Sequence, residues 1–588
     1  MSSLLVGCGI FGSDPRDTAA AFLAALARGD AVGAGQLTDD PAAATELIRQ
    51  VRDELRPQSV QFTLGDTHSG DHIASASFSA VWNLGRNRIW RYAGGFDLVP
   101  ATTSQGWWVR WSPGVVHPRL STQQRLALRV IPADPPAVVD RAGMPLLTWQ
   151  TVVTVALDRS KSADLAAVAA RLAAALRQFD PSITEQSIIA GATAAPAGQP
   201  STVTVLRDND YQSVRDRIDD LPGVTFPTQR QLLGPDRGFA TQLVPGIRGM
   251  VEQQLNNAAG WRVVTVNPMG DDLETLASQQ PHSLPTVITT VDWALQTAAE
   301  QAVDTVPNAA MIVALQPSTG EIVGVAQNSA ADVQGPLALT GRYPPGSTFK
   351  IVTSVAALEA KQVTVDSPVA CPATTIVGER VVPNDHLFDL GTVPLHTAFA
   401  RSCNTTFAQL AARLGAGALT DAADQMGIGM EYGIAGITTV TGQVPPSESM
   451  VRRAENGFGQ GRVLASPFGM ALVASTVAAG GKLPTPILIR GIPTHVALGP
   501  VAPMPREVAD AVRVMMREAV TQGTAQPLAG QGDLFGQTGT AEDNPSNGHG
   551  WFVGFRGDLA FATLVVGAGS SGAALDVSGR FLSALPTP

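Results

Sequence analysis

Ser347 and Lys350 stand three residues apart in Tyr343-Pro344-Pro345-Gly346-Ser347-Thr348-Phe349-Lys350-Ile351-Val352, where a loop turns into a helical stretch. Residues three apart on a helix share a face, so the hydroxyl and the amine point into one cleft. A serine hydroxyl at its ordinary pKa is a poor nucleophile and needs a neighbouring base. An amine can serve when burial or nearby charge lowers its pKa. S-x-x-K alone arises by chance in many helices. Two further pieces follow it in order: Ser402-Cys403-Asn404, which reads as S-x-N, and Gln537-Thr538-Gly539-Thr540, a variant of K-T-G-T. The triple points to acyl transfer through a serine.

The elements that must position these residues can be read from pattern. Asp14 and Asp17 flank the start of an amphipathic helix, Thr18 to Arg28, which Gly29 closes, and a second helical stretch covers Pro41 to Leu55. Alternating segments follow near Val60–Leu64, Ile73–Leu84, Arg88–Leu98 and Trp107–Trp111. Helices followed by a curved antiparallel sheet read as a small α+β domain over 14–118, and its clustered aromatics read as core. Residues 119–285 mix strands and helices, with helical stretches at Ser160–Phe179 and Asp208–Leu221 and a strand at Trp261–Asn267. From 286 onward, Asp292 reads as the N-cap of a helix. Ala310–Leu315 and Glu321–Val323 read as a hairpin with Glu321 at its surface.

Composition narrows the function classes. At 588 residues the chain exceeds one core, and with 44% hydrophobic and only 15% charged residues it is globular, not disordered. A net charge of −10 argues against a general nucleic-acid binder. Three cysteines exclude a disulfide framework, though a Cys371–Cys403 pair stays open. None of the eight histidines is read as pairing with Cys, Asp or Glu in a metal site, so neither a metal nor a cofactor is expected. No apolar run reaches the length of a membrane-spanning helix. Leu5-Val6-Gly7-Cys8 resembles a lipobox that would lipidate Cys8. The segment before it is too short for a signal peptide, so either the start is truncated or misassigned, or the match is accidental. The overlapping Gly7-Cys8-Gly9-Ile10-Phe11-Gly12 is a decoy for a dinucleotide fingerprint, because Ser13-Asp14-Pro15 interrupts where a helix should begin.

Further landmarks complete a resemblance. Val138-Val139-Asp140-Arg141-Ala142-Gly143-Met144-Pro145-Leu146 is similar to a pedestal motif, with Asp140-Arg141 as a structural ion pair. The 310–323 hairpin, Gly457-Phe458-Gly459-Gln460-Gly461, Gly523-Thr524-Ala525 and Gly550-Trp551-Phe552-Val553-Gly554 match a transpeptidase domain. Together with Ser347, Ser402 and Gln537, these residues resemble a class B, monofunctional penicillin-binding protein of the lipid-anchored, actinobacterial-like type. The resemblance implies a multidomain α+β and α/β architecture. A remnant signal and lipobox would occupy 1–13, an NTF2-like domain 14–118 and a pedestal or dimerisation-type domain 119–285. A transpeptidase domain, an antiparallel sheet flanked by helices, would occupy 286–588.

It also implies roles. Ser347 would accept the acyl group, Lys350 would take its proton, and Ser402 would relay a proton to the leaving amine. Asn404 would hold Lys350 and the substrate amide. The N–H groups of Ser347 and Thr540 would form the oxyanion hole, with Gly539 between the hydroxyls of Thr538 and Thr540 that hold the terminal carboxylate. The implied activity is D,D-transpeptidation of peptidoglycan stem peptides at the extracytoplasmic face of the cytoplasmic membrane. It would be blocked covalently by β-lactams and partnered by a separate glycosyltransferase and by divisome or elongation proteins. No nucleic-acid partner is expected.

Gln537 departs from the family's lysine. It keeps hydrogen bonding but loses the charge facing the carboxylate, a deficit of about 1–2 kcal/mol. On that reading the enzyme is weakened, and restoring lysine raises the acylation rate. The competing readings are a silent penicillin-binding scaffold and, behind it, a serine β-lactamase, against which the long stretch of chain ahead of the catalytic domain weighs because it fits a synthase better.

Overall fold

The computed structural model describes residues 14–70, 72–102, 106–196, 198–497, 501–541 and 548–585. Cys8 and its lipobox-like surroundings lie outside the described residues. The chain divides into two compact units, one formed by residues 1–136 with 251–285 and the other by 137–250 with 286–588.

In the first unit, the helix Pro15–Arg28 starts on Asp14, whose side chain accepts from Arg16 N, and stops at Gly29 in the left-handed region (φ 77°). Helix Pro41–Leu55 follows. Strands Ser59–Ser69, Ala74–Asn83, Ile89–Pro100 and Trp107–Val109 pair antiparallel in that order. Alternation in Ala74–Asn83 turns Ala74, Ala76, Phe78, Ala80 and Trp82 into the core beneath the helices. The aromatics are interior packing. Trp90 stacks on His117 at 5.2 Å, and the Tyr92 hydroxyl donates to the Val116 carbonyl at 2.6 Å.

A second sheet in this unit differs from the sequence expectation. Arg125–Ile131, Gly260–Val266 and Asp272–Gln279 form three antiparallel strands, and Leu126, Trp261 and Val263 join the core of the helices above. Residues read as part of the middle region therefore complete the N-terminal core. The pairing spans more than a hundred residues of chain, which local periodicity does not encode.

In the second unit, strand Pro145–Leu157 is the spine of a sheet with Thr228–Leu233, Ser201–Arg207 and Val224–Thr225. Helices Leu165–Leu176, Glu185–Ala194 and Asp208–Ile218 share its core. Asp140 and Arg141 are not paired with each other. The Asp140 carboxylate closes its own turn by accepting from Ala142 N and Met144 N at 2.9 and 2.8 Å. Arg141 instead reaches Glu321 at 3.0 Å, and Arg490 forks onto the same carboxylate at 2.7 and 3.0 Å. Glu321 is 5% exposed, not a surface residue, because two guanidinium groups neutralise it.

The catalytic-type half of this unit is built on a five-stranded antiparallel sheet. Its order is Glu321–Gln327, Ala310–Gln316, Leu559–Val565, His549–Arg556, Leu534–Ala541. Its strands are buried on both faces. Ala310, Ile312 and Ala314 pack with helices Trp293–Val303 and Gly572–Ala584. The intervening Met311, Val313 and Leu315 are equally buried, and helix Pro467–Ala478, apolar all round, packs against the same central strands. Among the described residues no helix is long and apolar enough to cross a membrane.

Candidate active site

Ser347 lies in a single 3₁₀ turn, Gly346–Phe349, that leads directly into helix Lys350–Glu359. In a 3₁₀ turn, residues i and i+3 eclipse, which aligns Ser347 with Lys350 more closely than an α-turn would. The turn is braced on two sides. Gly346 N donates to Gly459 O at 3.1 Å, and a Cβ on Gly459 (φ 75°) would fall 2.0 Å from Gly346 O. Gly346 itself has φ 53°, and a Cβ there would fall 2.5 Å from Thr540 O. The Thr348 hydroxyl donates to Pro345 O at 2.6 Å, and the Trp551 indole to Pro344 O at 3.0 Å.

Ser402 occupies the turn between helices Leu395–Ala400 and Asn404–Arg413. Its φ is 59°, a left-handed conformation that costs a non-glycine residue about 1 kcal/mol or more. The turn is over-determined. Ser402 N and Cys403 N donate to Phe399 O and Ala398 O, each at 2.8 Å, and Cys403 is disulfide-bonded to Cys371 in a fully buried position. Behind it, Thr405 N donates to Asn384 Oδ1 at 3.1 Å, and the Asn384 amide holds Pro372 O and Phe388 O. The pairing left open by sequence is thus a disulfide between the S-x-N turn and the hairpin segment before it.

Lys350 is fully buried. Its Nζ lies 2.7 Å from Ser402 O, 2.7 Å from Asn404 Oδ1, 2.9 Å from Ser347 Oγ and 3.0 Å from Ser402 Oγ. The two closest neighbours are carbonyl oxygens, which can only accept. The other two are hydroxyls, which can also donate. A neutral amine satisfies this set: two N–H bonds go to the carbonyls, and its lone pair receives a proton donated by a serine. Burial pushes the Lys350 pKa well below the ordinary amine value, with the negative charge of Asp385 working in the opposite direction.

The third segment is strand Leu534–Ala541, antiparallel to His549–Arg556. A Cβ on Gly539 would lie 2.7 Å from Pro345 O, so the strand runs hard against the Ser347 loop. Thr540 O accepts from Gln460 Nε2 at 3.1 Å, and the Thr538 and Thr524 hydroxyls meet at 2.6 Å. Gln537 is fully buried and turned elsewhere. Its Nε2 donates to Phe399 O at 2.9 Å, and its Oε1 accepts from Thr538 N at 3.0 Å and from Thr524 Oγ1 at 3.4 Å. Among the described residues it makes no bond to Ser347, Lys350, Ser402 or Asn404. In these bonds the glutamine uses both an acceptor and a donor, a combination lysine lacks.

Ser347, Lys350, Ser402 and Asn404 thus converge on one amine, while Gln537 joins that group through a backbone carbonyl. Sequence reading missed Phe399 O and Asp385 as members of the surroundings. The first is a main-chain atom and the second sits in a loop with no motif.

Residues 310–585 match the family described as the penicillin binding protein transpeptidase domain, and residues 14–124 match the NTF2-like N-terminal transpeptidase domain. The chain belongs to the class B penicillin-binding proteins. It is similar to the peptidoglycan D,D-transpeptidase PbpA of Mycobacterium tuberculosis, 31% identical over 207 residues that cover 30% of this chain and 42% of that one. PbpA of Mycolicibacterium smegmatis is 29% identical over 289 residues, covering 42% and 58%. Stage V sporulation protein D of Bacillus subtilis is 29% identical over 286 residues, covering 43% and 44%. The chain thus matches less than two thirds of the length of these curated relatives. In fold, it is similar to a chain of the complex between penicillin-binding protein PBP2 and MreC from Helicobacter pylori. That likeness has a TM-score of 0.58 at 17% identity, covering 78% of this chain and 98% of that one.

Proposed function

We propose that this penicillin-binding protein is a peptidoglycan D,D-transpeptidase working through an acyl-serine at Ser347. The observation that carries the reading is the buried Lys350 amine, 2.9 Å from the Ser347 hydroxyl and held by two carbonyl-type acceptors. Lys350 takes the Ser347 proton as Oγ attacks the carbonyl between two terminal D-alanines. The proton passes, by way of Lys350 and the Ser402 hydroxyl, to the leaving D-alanine amine as the peptide bond breaks. An amine from a second stem then attacks the acyl-serine, giving its proton back along the same path and freeing Ser347. Asn404 orients Lys350, and Thr538 and Thr540 serve the terminal carboxylate. A β-lactam enters the first half of this cycle, but its leaving nitrogen stays tethered after ring opening and blocks the second.

The domain reading that accompanies this is an NTF2-like spacer, a pedestal and the transpeptidase head. The three-stranded sheet of residues 125–131, 260–266 and 272–279 is assigned to the spacer's core. We assign the protein to the extracytoplasmic face of the membrane, through lipidation at Cys8. The Cys371–Cys403 disulfide supports an oxidising compartment. Glycan polymerisation is assigned to a separate glycosyltransferase, in company with division or elongation proteins.

The enzyme reading is tested by incubating the protein with an acyl-D-Ala-D-Ala peptide and an amine acceptor. Release of D-alanine together with acceptor-joined product is the expected result. No release from folded protein favours the scaffold reading, and rapid hydrolysis of a β-lactam favours the β-lactamase reading.

A further inference from the structure

Gly523-Thr524-Ala525 follows helix Arg506–Thr521 and precedes strand Leu534–Ala541, and the acyl-serine cycle leaves it without a role. Its backbone has a structural one. A Cβ on Gly523 would fall 2.2 Å from Ala400 O, so glycine admits this close approach to the helix that leads into Ser402. Thr524 N donates to that same Ala400 O at 3.0 Å. Ala525 is fully buried, and its N donates to Ala519 O at 2.9 Å. None of these contacts needs a hydroxyl on residue 524.

The hydroxyl is used by the third motif. Thr524 Oγ1 lies 2.6 Å from Thr538 Oγ1 and 3.4 Å from Gln537 Oε1. Thr538 is 4% exposed and adjoins Gly539, where the strand runs against the Ser347 loop. An O···O distance of 2.6 Å requires one proton between the two oxygens, and each hydroxyl carries one. Two directions are open. In the first, Thr538 donates to Thr524, and Thr524 turns its own proton to Gln537 Oε1. That contact is long, and the oxygen already accepts from Thr538 N at 3.0 Å. Thr538 then shows a ligand only lone pairs, which repel a carboxylate. In the second, Thr524 donates to Thr538, and the Thr538 proton is left for a ligand. A carboxylate accepts and cannot donate, so it selects the second direction, and each bond in the chain polarises the next.

We propose that Thr524 is a positioning residue for the substrate's terminal carboxylate, its hydroxyl donating to Thr538 so that the Thr538 proton is aimed at that group. The identity of the ligand rests on the acyl-serine reading; the pairing of Thr524 with Thr538, and its preference for an acceptor-only group, do not. Thr524 also ties two motifs together, since its N–H holds Ala400 O two residues before Ser402 while its hydroxyl holds Thr538. A carboxylate bound on Thr538 is thereby held at a fixed place relative to the S-x-N turn.

The test uses the full chain carrying Ser347→Ala, which binds without turnover. Ac-L-Lys(Ac)-D-Ala-D-Ala and its terminal carboxamide are titrated into it calorimetrically. Adding Thr524→Val, or Thr524→Ala should valine not be tolerated, is expected to weaken the acid about tenfold and the carboxamide less than about twofold. Thr524→Ser is expected to retain the affinity for the acid. Thr538→Val is expected to give the same selective loss, and the two valine changes together no more than either alone. Equal losses for the two peptides overturn the proposal, since a merely structural role for Thr524 would act on both. Additive losses, failure of serine to rescue in protein of unaltered Tm, or no binding of the acid to the Ser347→Ala chain overturn it as well. Penicillin labelling of the parent chain is read in parallel. Its failure counts against the acyl-serine reading alone, because the peptide comparison is made without turnover.

Discussion

Gln537 and Ser402 share one acceptor: Phe399 O receives Gln537 Nε2 at 2.9 Å and Ser402 N at 2.8 Å. The third segment therefore holds the turn of the second, and that turn keeps Ser402 in its left-handed conformation. Gln537→Lys leaves Thr538 N facing a cation in a fully buried position and removes an acceptor. A loss of about 1–3 kcal/mol in stability is expected, with slower β-lactam acylation. Faster acylation in the variant, by stopped-flow with a reporter penicillin, contradicts this placement of Gln537.

On the proposed acyl-serine mechanism acylation depends on a neutral Lys350, so its rate is expected to rise with pH through the depressed pKa of that amine and then level off. The stability sign agrees. At a pH where the unfolded chain protonates this lysine and the folded chain does not, folding is opposed. Stability linked to Lys350 therefore rises as pH climbs from the depressed folded value toward the ordinary 10.5. Asp385→Asn removes the opposing charge and is expected to move the acid limb of the rate profile to lower pH. A shift the other way contradicts the assignment. Lys350→Arg, which cannot deprotonate, is expected to cost about 10²–10⁴ in acylation rate.

The Cys371–Cys403 bond ties the S-x-N turn across a sequence separation of 32 residues. Closing a loop of that size contributes roughly 3–4 kcal/mol by restricting the unfolded chain. Cys371→Ala with Cys403→Ala is expected to lower Tm in calorimetry and to slow acylation, since Cys403 sits between Ser402 and Asn404. Unchanged acylation at a temperature where the variant is folded would show that the other contacts hold the turn alone.

His117, buried against Trp90 and Tyr92, has its pKa lowered to about 4 by burial. The unfolded chain binds this proton near the ordinary 6.5, so stability is lost as pH falls from about 6.5 to 4, by at most roughly 3 kcal/mol. His117→Phe is expected to flatten that part of the urea-unfolding profile of the N-terminal region. An unaltered profile assigns the acid sensitivity to other groups.

Much of this molecule was legible in its residues, for reasons that also explain the gaps. Helix Pro15–Arg28 and the four strands from 59 to 109 carry their caps and alternation locally. Ser347 and Lys350 are three apart, so a turn suffices to join them. The partnership of Arg141 with Glu321 and Arg490, and the completion of the N-terminal core by residues 260–266, depend on contacts across long stretches of chain. Gln537 reads by type as a substitute for a lysine, and its hydrogen bonds to a main-chain carbonyl and a main-chain N–H are ones that no motif records.

The most direct test of the central claim is intact-mass spectrometry after incubation with benzylpenicillin. A single covalent addition of the whole antibiotic is expected, since ring opening loses no atoms, together with its disappearance in Ser347→Ala. An addition that persists in Ser347→Ala, or none in the folded parent chain, would contradict it.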